Sequence, residues 1–218
     1  MISIIVPVYN EDEIIFKFIN QLKKLKIKKE IIVINDCSTD NTLNILKKIK
    51  NINIITNKKN LGYGYSIKKG IKKAKYDFCL TIDADGTYPV NKIIKFLKYR
   101  SSDNTLLIGK RIFKEYKLAT YILRTLLKIF LFILTFKYNK DPNSGMRSFS
   151  KHFIKKYLNL CSNRFSFSTS TSLIYAIKKK EIKFIDINYN KRVGNSKIKV
   201  IKDAFATLRQ IIIIIIKI

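Results

Sequence analysis

The sequence has little histidine and cysteine: its 218 residues include one histidine and three cysteines. Cys37, Cys79 and Cys161 lie far apart and lack C-x-x-C spacing, which argues against a Cys/His metal cluster and against a disulfide framework. This usage favours a reduced, cytosolic compartment. The one histidine, His152, follows a lysine near a predicted helix start, and we expect it at the surface and not in catalysis.

Long apolar runs are also absent. None reaches the roughly 18 to 20 residues that a membrane-spanning helix needs, and the nearest, 118–136, contains Arg124 and Lys128. The first residues, MISIIVPVYNE, have no charged segment before their apolar run and lead straight into a strand-like pattern. We therefore expect no signal peptide.

Acidic residues are scarce, with 15 Asp and Glu against 44 Lys and Arg, a formal net charge of +29. Nucleic acid, an anionic membrane and a phosphorylated substrate are all partners that such an excess fits. An AT-rich coding sequence would give the same abundance of Lys, Ile and Asn, so charge alone does not decide the function. The length suits one α/β domain with an appendage.

The first half of the chain alternates short β-branched runs with helical patterns. Strands are predicted at 2–9, 30–36, 52–56, 78–83 and 106–111, and helices at 11–26, 40–50, 62–75 and 90–99. This alternation predicts βαβ units in an α/β fold with a mostly parallel sheet. Ligands bind outside the carboxyl ends of the strands of such sheets. The polar residues predicted at those ends are Tyr9, Asn10, Glu11, Asp36, Asp83, Asp85, Lys110 and Arg111.

The pattern changes after residue 115. A helix at 117–136 would carry a narrow basic stripe, with Arg124 and Lys128, beside a wide apolar face, which suits a helix lying in a membrane interface. A loop at 137–150, a helix near 168–180, a strand near 182–188 and a basic loop at 190–199 follow. The chain ends in RQIIIIIIKI, which is too short to span a bilayer but apolar enough to enter lipid or pack on the earlier helix.

Three interpretations of the stretch TIDADGTYP are open on its residues alone. Asp83 and Asp85, at i and i+2 after an apolar run, would point to the same side of a strand and hold Mg²⁺ or Mn²⁺ against a nucleotide diphosphate. The haloacid-dehalogenase phosphatases place a nucleophile and its acid partner in a similar string, but no paired acid follows downstream. An Asp-Gly turn without chemistry is the third.

Seven segments carry a family resemblance, and they occur in order along the chain: IIVPVYNEDE, IIVINDCSTDNT, NKKNLGYGYSIKKGI, TIDADGTYP, LIGKR, DPNSGMRSFS and KRVGNSKI. Together they resemble the family 2 glycosyltransferases of the GT-A fold, most closely the dolichol-phosphate mannosyltransferase and polyprenyl-phosphate glycosyltransferase branch. The resemblance implies a Rossmann-like sheet with a donor half at 1–115 and an acceptor half at 116–218, in one continuous domain. It also favours the metal interpretation of Asp83 and Asp85.

The resemblance further implies roles for single residues. The nucleotide sugar would be bordered by Pro7, Tyr9, Asn10, Glu11, Asp36, Lys68, Asp83 and Ala84. Asp83 and Asp85 would bind the metal and, with Arg111, act in catalysis. The acceptor and phosphate side would be formed by Arg111, Ser144, Arg147, Arg192, Ser196 and Lys197, since arginine suits bidentate phosphate contacts.

Three departures from the family pattern bear on the acceptor and on the site. Asn35 precedes Asp36 where the family has two aspartates, and Cys37 replaces a glycine. Where many relatives carry an acid, this chain has Ser168, Thr169, Ser170 and Thr171. A hydroxyl acceptor needs a general base, whereas a phosphate is already an anion, so the missing acid favours a phosphate acceptor. Asp141 remains the base for the alternative.

We therefore expect a metal-dependent, inverting glycosyltransferase at the cytoplasmic face of a membrane, bound peripherally. It would move a sugar from a UDP- or GDP-sugar to a polyprenyl phosphate, with Mg²⁺ or Mn²⁺ as cofactor. The alternative is the same fold acting on a glycan hydroxyl in cell-surface polysaccharide synthesis. A nucleic-acid partner is not expected, because Lys is spread through the chain without a recognised binding motif.

Overall fold

A computed structural model describes residues 1–99, 105–112, 118–190 and 200–218. Its centre is a seven-stranded sheet in the order β3-β2-β1-β4-β6-β5-β7. The strands are β1 (Ile2–Val8), β2 (Lys29–Asn35), β3 (Asn53–Thr56), β4 (Phe78–Thr81), β5 (Leu106–Ile112), β6 (Arg147–Ser150) and β7 (Ile182–Asn188). The first four strands are parallel to one another, and β5 is parallel to β7. The prediction of a mostly parallel sheet is confirmed.

The strand β6 corrects the prediction of a loop over 137–150. It runs antiparallel between β4 and β5 and pairs with both, for example Leu80 with Ser148 and Ile108 with Arg147. Because β6 points the other way, its beginning lies at the edge where β4 ends. The predicted boundary at 115 and 116 lies outside the described residues, and the sheet takes strands from both sides of it.

Helices cover both faces of this sheet. They are α1 (Ile15–Lys24), α2 (Thr42–Lys47), α3 (Tyr63–Lys73), α4 (Ile93–Lys98), α5 (Leu118–Thr135), α6 (Lys151–Lys155), α7 (Phe167–Ile177) and α8 (Val200–Lys217). In α1 the apolar positions recur at helical spacing, and Ile15, Phe18, Ile19 and Leu22 are all buried. Along β1 the side chains alternate, so Ile4 packs in the core beneath α1 and Ile5 in the core beneath α3 and α7.

The helices α5 and α8 pack on α7 and keep apolar side chains at the surface. Arg124 and Lys128 of α5 are half-buried. Among the described residues, no helix has both the length and the apolar character to cross a membrane. The exposed apolar side chains include Leu126, Ile129, Phe132 and Ile133 of α5, and Phe205, Leu208, Ile212 and Ile216 of α8.

Candidate active site

A cavity of about 610 Å³ opens at the carboxyl edge of the sheet and continues between α5 and α8. Its walls differ in character from one end to the other. The sheet end is lined by acidic side chains, those of Glu11, Asp36, Asp83 and Asp85. The far end is lined by apolar side chains, including Leu123, Leu127 and Phe130 of α5 and Ala204 and Leu208 of α8. One space therefore joins a polar compartment to an apolar groove.

The two aspartates of TIDADGTYP lie just beyond β4 and both line this cavity. Asp83 Oδ1 accepts a hydrogen bond from the Tyr63 hydroxyl at 2.9 Å. Asp85 Oδ1 accepts from the Thr87 amide at 3.1 Å and the Thr87 hydroxyl at 2.6 Å. Gly86 has φ +75°, so the chain turns sharply directly after the second aspartate. The Asp-Gly turn is therefore real, and it presents two carboxylates to a cavity.

Gly145 packs directly against the Asp83 carboxylate. A Cβ atom at Gly145 would lie 2.5 Å from Asp83 Oδ2 and 2.7 Å from Oδ1. The backbone of Gly145 is fixed on both sides, because its amide donates to the Tyr88 hydroxyl at 2.7 Å and its carbonyl accepts from Thr81 Oγ1 at 2.7 Å. The segment that leads into β6 thus forms a wall for the carboxylate that follows β4.

Two phenols, the half-buried Tyr63 and the buried Tyr88, stand beside Asp83 and stay protonated at neutral pH. Burial and the Asp83 charge raise the pKa of Tyr63 well above its ordinary value. Burial also raises the pKa of Tyr88, although the Arg111 charge works in the opposite direction. Neither phenol competes as an anion with the two carboxylates. The net negative charge at this end of the cavity comes from the aspartates.

The donor set at Asp83 and Asp85 fits a hard divalent cation that brings its remaining ligands with it. Mg²⁺ and Mn²⁺ prefer carboxylate, phosphate and water oxygens, and Mg²⁺ sites commonly use only one or two protein carboxylates. Within the described ranges there is no group of three or more His, Cys, Asp or Glu residues that could hold a metal by itself. Asp83 and Asp85, in a cavity with room for a diphosphate, match this type of metal site.

Asp36 lies in the cavity wall and also organises the chain before α3. Its carboxylate accepts from the Asn57 side chain at 2.7 Å, the Leu61 amide at 3.0 Å and the Gly62 amide at 2.8 Å. A carboxylate has about four acceptor positions, which leaves capacity for a ligand hydroxyl or N–H. The neighbouring Asn35, which stands where the family has its first aspartate, is buried and accepts hydrogen bonds from Ser38. It is not among the residues that line the cavity.

The substitution of Cys37 for glycine falls on a left-handed backbone position, with φ +60°. The chain adopts the turn that glycine favours even though the residue has a side chain. All three cysteines are free thiols, with Cys79 and Cys161 buried. His152 is exposed at the start of α6, as expected from the sequence.

Most residues predicted for the nucleotide side come together, and two do not. The cavity is lined by Pro7, Tyr9, Glu11, Asp36, Asp83, Ala84, Asp85 and Arg111. Asn10 instead ties the end of β1 to the loop after β2, because its side chain bonds Thr39. Lys68 is not part of the cavity wall and donates to Asn163 Oδ1 at 2.8 Å, and burial lowers its pKa. The roles of the lining residues in binding stay predictions.

Arg111 forms a buried, bidentate ion pair with Asp141. Arg111 Nε donates to Asp141 Oδ2 at 2.8 Å and Nη2 to Oδ1 at 2.7 Å, with the two side chains 7% and 10% exposed. Burial pushes the pKa of Asp141 upward, but the Arg111 charge and its hydrogen bonds outweigh this and lower the pKa. A carboxylate held as an anion by two N–H donors is a poor general base. The ion pair argues against Asp141 as the base for a hydroxyl acceptor, and that role stays a prediction.

Arg111 also belongs to the wall of a second, basic cavity. This cavity has about 100 Å³ and is lined by Lys110, Arg124, Lys128 and Lys140 in addition to the Arg111–Asp141 pair. Arg111, Arg124 and Asn143 lie in the walls of both cavities. Positive charge is thus concentrated where the acidic compartment meets the apolar groove.

We expect Asp141→Asn to lower the free energy of unfolding by about 3–5 kcal/mol at neutral pH, because it leaves a buried arginine without its partner. The ordinary pKa of an aspartate is about 3.9, and that of Asp141 is lower in the fold. The stabilisation is therefore complete above that ordinary value and is lost as the pH falls through the lower, folded value. Urea unfolding at neutral and at acidic pH measures this, and the difference between wild type and variant should shrink in acid.

The matched control for this change is Asp186→Asn. Asp186 pairs with Lys110 at 3.2 Å on the surface, where the carboxylate side chain is 58% exposed. Exposed pairs contribute about 0–1 kcal/mol, so this variant should unfold close to wild type at both pH values. An Asp141→Asn protein as stable as the control would contradict a stabilising ion pair.

Arg147 and Ser144 do not lie where an acceptor phosphate could reach them. Both are fully buried. The Arg147 guanidinium donates to the carbonyl oxygens of Pro142, Ser144 and Ser168 and to the hydroxyls of Thr171 and Ser172. Burial lowers the pKa of Arg147 to about 10, so it remains a cation at neutral pH. These contacts make Arg147 a structural residue and correct its prediction as a phosphate ligand.

The other acceptor-side residues predicted from sequence, Arg192, Ser196 and Lys197, lie outside the described residues. Several cavity residues were missed: Tyr63, Tyr88, Arg124, Asn143, Phe165 and Asp203. Tyr63 and Tyr88 stand inside quoted motifs, so the signal for them was present. Asp203 reaches the cavity because α8 packs on α7 and lines the same cavity as α5, and nothing local in the sequence indicates that.

Comparison with known proteins gives relatives along most of the chain. It is 29% identical over 205 residues to a UDP-N-acetylglucosamine–dolichyl-phosphate N-acetylglucosaminyltransferase of Methanococcus voltae, covering 83% of this chain and 81% of that one. It is 27% identical over 238 residues to a dolichyl-phosphate β-glucosyltransferase of Trichomonas vaginalis, covering 95% of this chain and 72% of that one.

Solved structures share the fold. Glucosyl-3-phosphoglycerate synthase from Mycobacterium tuberculosis, in complex with Mn²⁺, UDP and glucosyl-3-phosphoglycerate, superposes with a TM-score of 0.72 at 16% identity. The match covers 100% of this chain and 79% of that chain. The family model described as "Glycosyl transferase family 2" matches residues 3–160. With its sheet, its strand-end aspartates and its motifs in order, the chain belongs to glycosyl transferase family 2, and it is a glycosyltransferase.

Proposed function

We propose that this protein transfers a sugar from a nucleotide diphosphate to the phosphate of a polyprenyl carrier, with inversion at the anomeric carbon. The observation that carries the proposal is the single cavity, whose acidic end continues into an apolar groove between α5 and α8. A nucleotide sugar is polar along its whole length and would not fill an apolar groove. An acceptor with a phosphate head and an isoprenoid chain would place its chain in that groove.

The residues divide between the two substrates. Tyr9, Glu11 and Asp36 would contact the nucleoside, since they stand at the ends of β1 and β2. Asp83 and Asp85 would hold Mg²⁺ or Mn²⁺, which supplies positive charge to the diphosphate as it departs. The related M. tuberculosis synthase was solved with Mn²⁺ and UDP, and this supports the same use of a divalent ion here.

Arg111 and Arg124 would bind the acceptor phosphate at the junction of the compartments. Both line the main cavity and the basic cavity, and guanidinium groups pair well with phosphate oxygens. The Arg111 fork is already held by Asp141, so its position is set before the substrate arrives. An acceptor phosphate oxygen would attack the anomeric carbon as the bond to the diphosphate breaks, which inverts that carbon.

A phosphate nucleophile is an anion at neutral pH and needs no general base. This agrees with the buried hydroxyls at Ser168–Thr171 and with an Asp141 held in an ion pair. The alternative acceptor, a glycan hydroxyl, would need a base. One observation favours that alternative: Asp203 of α8 lies in the cavity wall, on the acceptor side.

We further propose that the protein works at the cytoplasmic face of a membrane. The outer faces of α5 and α8 expose large apolar side chains, among them Phe132, Ile133, Phe205 and Ile216. The groove of the main cavity opens between these same two helices. The net charge of +29 would favour an anionic lipid surface. An acceptor embedded in that surface could then enter the groove from the side.

The proposal is tested with anionic vesicles that contain polyprenyl phosphate, mixed with protein, Mn²⁺ and radiolabelled UDP- or GDP-sugars. We expect label in the extracted lipid, and protein that sediments with the vesicles at high salt. Vesicles with polyprenol, which has the same chain without the phosphate, are the matched control and should stay unlabelled. Label in a soluble glycan instead would support the alternative, and no transfer from any donor would contradict the proposal.

A further inference from the structure

Tyr63 lines the cavity and contacts the Asp83 carboxylate. It is the first residue of α3, and its hydroxyl donates to Asp83 Oδ1 at 2.9 Å from across the sheet edge. The two residues are 20 positions apart in sequence and belong to different elements. Both line the cavity. The family motifs assign no role to Tyr63.

The Tyr63 ring is itself held by the loop before α7. It stacks on Phe165 with ring centroids 5.6 Å apart and planes 26° apart. That loop is locked to α3, because the Tyr65 amide donates to the Asn163 carbonyl at 3.0 Å and a Cβ at Gly64 would lie within 2.2 Å of the Ser162 carbonyl. The phenol therefore approaches Asp83 from a fixed direction.

We propose that Tyr63 is a positioning residue for the metal-binding carboxylate: its hydroxyl fixes the rotamer of Asp83, and its ring links that rotamer to the loop at 162–167. This inference rests on the proposed function, since it presumes a divalent ion at Asp83 and Asp85. It goes further in naming a residue that does not touch the ion. The loop that carries Phe165 borders the acceptor side of the cavity. Tyr63 therefore connects the metal-side carboxylate to the acceptor side through its hydroxyl and its ring.

The physical basis is the behaviour of hydrogen-bonded metal ligands. A carboxylate that binds a metal is commonly held by a second hydrogen bond, and removing that partner typically costs about 10- to 100-fold in metal affinity or activity. Asp83 has Gly145 against one side, and the Tyr63 hydroxyl bonds one of its oxygens. The Tyr63 hydroxyl is thus one of the supports of this carboxylate, and its removal should loosen the geometry that Asp83 shares with Asp85.

The test is Tyr63→Phe, which keeps the ring and its stacking and removes only the hydroxyl. Free Mn²⁺ is followed by electron paramagnetic resonance while it is titrated into protein with saturating UDP. We expect the Mn²⁺ dissociation constant to rise about 10- to 100-fold, with an apparent KM for metal that rises more than kcat falls. The matched control is Tyr65→Phe, the same change two residues along α3, outside the cavity wall, which should bind Mn²⁺ like wild type.

A second variant addresses the ring and guards against a misfolded first one. Phe165→Leu removes the stacking partner on the loop, where Phe165 is 37% exposed. We expect the Mn²⁺ dissociation constant to rise by at most about tenfold, because a stacked pair can contribute no more than about that factor to the position of the phenol. A folded Tyr63→Phe protein that binds Mn²⁺ like wild type would overturn this inference and leave the proposed function standing. If Tyr63→Phe does not fold, wild-type Mn²⁺ affinity in Phe165→Leu would do the same. No Mn²⁺ binding by wild type would overturn the proposed metal site together with it.

Discussion

Gly145→Ala should reduce sugar transfer about a hundredfold while the protein remains folded. The added methyl group would lie 2.5 Å from Asp83 Oδ2, closer than a Cβ atom ever approaches such an oxygen. The backbone cannot easily retreat, because Tyr88 and Thr81 hold the Gly145 amide and carbonyl. Asp83 must therefore move, and a displacement of about 1 Å in a reacting centre can cost about a hundredfold in rate. Steady-state kinetics with vesicle-bound acceptor measure the loss.

The control for this substitution creates a similar clash away from the site. A Cβ at Gly70, inside α3, would lie 2.5 Å from Ile5 Cγ2 and 2.8 Å from Ile34 Cδ1. Gly70→Ala should lower the melting temperature by crowding the core and leave the kinetics of the folded enzyme near wild type. Equal loss of activity in both variants would show that crowding, and not displacement of Asp83, is responsible.

Asp85→Asn should reduce transfer about a thousandfold, since it removes one of the two carboxylates available for the metal. A bound divalent ion contributes several kcal/mol to the charge balance of the departing group, and each 1.4 kcal/mol corresponds to about tenfold in rate. The asparagine oxygen can still accept both hydrogen bonds from Thr87, so the turn at Gly86 should form as before. The effect should appear in Mn²⁺ titrations with UDP as well as in turnover.

Asp77→Asn is the control at the other end of β4. Asp77 precedes β4 at the opposite edge of the sheet, where it accepts from the His152 amide at 2.7 Å. The same isosteric change there removes a similar charge from the protein without touching the cavity. Transfer by Asp77→Asn should stay within about twofold of wild type. An Asp85→Asn enzyme that matched this control would contradict the metal assignment.

The donor half of the fold could be predicted because its signals are local. Strand runs such as ISIIVPVY are buried on both faces and therefore read as apolar throughout. The strand β6 could not be predicted, because its sequence RSFS looks like a loop. Arg147, Ser148 and Ser150 are nevertheless buried. The cost of burying the Arg147 cation is offset by carbonyl and hydroxyl acceptors from α7 and the preceding loop, which only the tertiary structure supplies.

The site also combines residues that the sequence could predict with residues whose position depends on the tertiary structure. Asp83, Asp85 and Arg111 reach the cavity because the ends of parallel strands meet at one edge. Lys68 belongs to a motif of the same family resemblance, but a motif does not state which side of α3 its side chains face. Its ammonium group lies against Asn163 instead. The apolar end of the cavity depends on α5 and α8 both packing on α7. The sequence predicted α5 and an apolar C-terminal segment, but not the groove between α5 and α8.

The reversed direction of β6 affects how the enzyme could be altered. The strands β1, β4 and β5 contribute to the site from their carboxyl ends and the residues that follow them, whereas β6 does so with the segment that precedes it. All four residues of β6 pair with β4, and Arg147 and Ser148 also pair with β5, so the sheet holds the strand in register from both sides. The connection from α5 to β6 therefore serves both sides of the site at once, because Asp141 in it holds Arg111 and Gly145 packs against Asp83. A segment exchanged from a relative would have to keep both positions if the donor side is to stay intact.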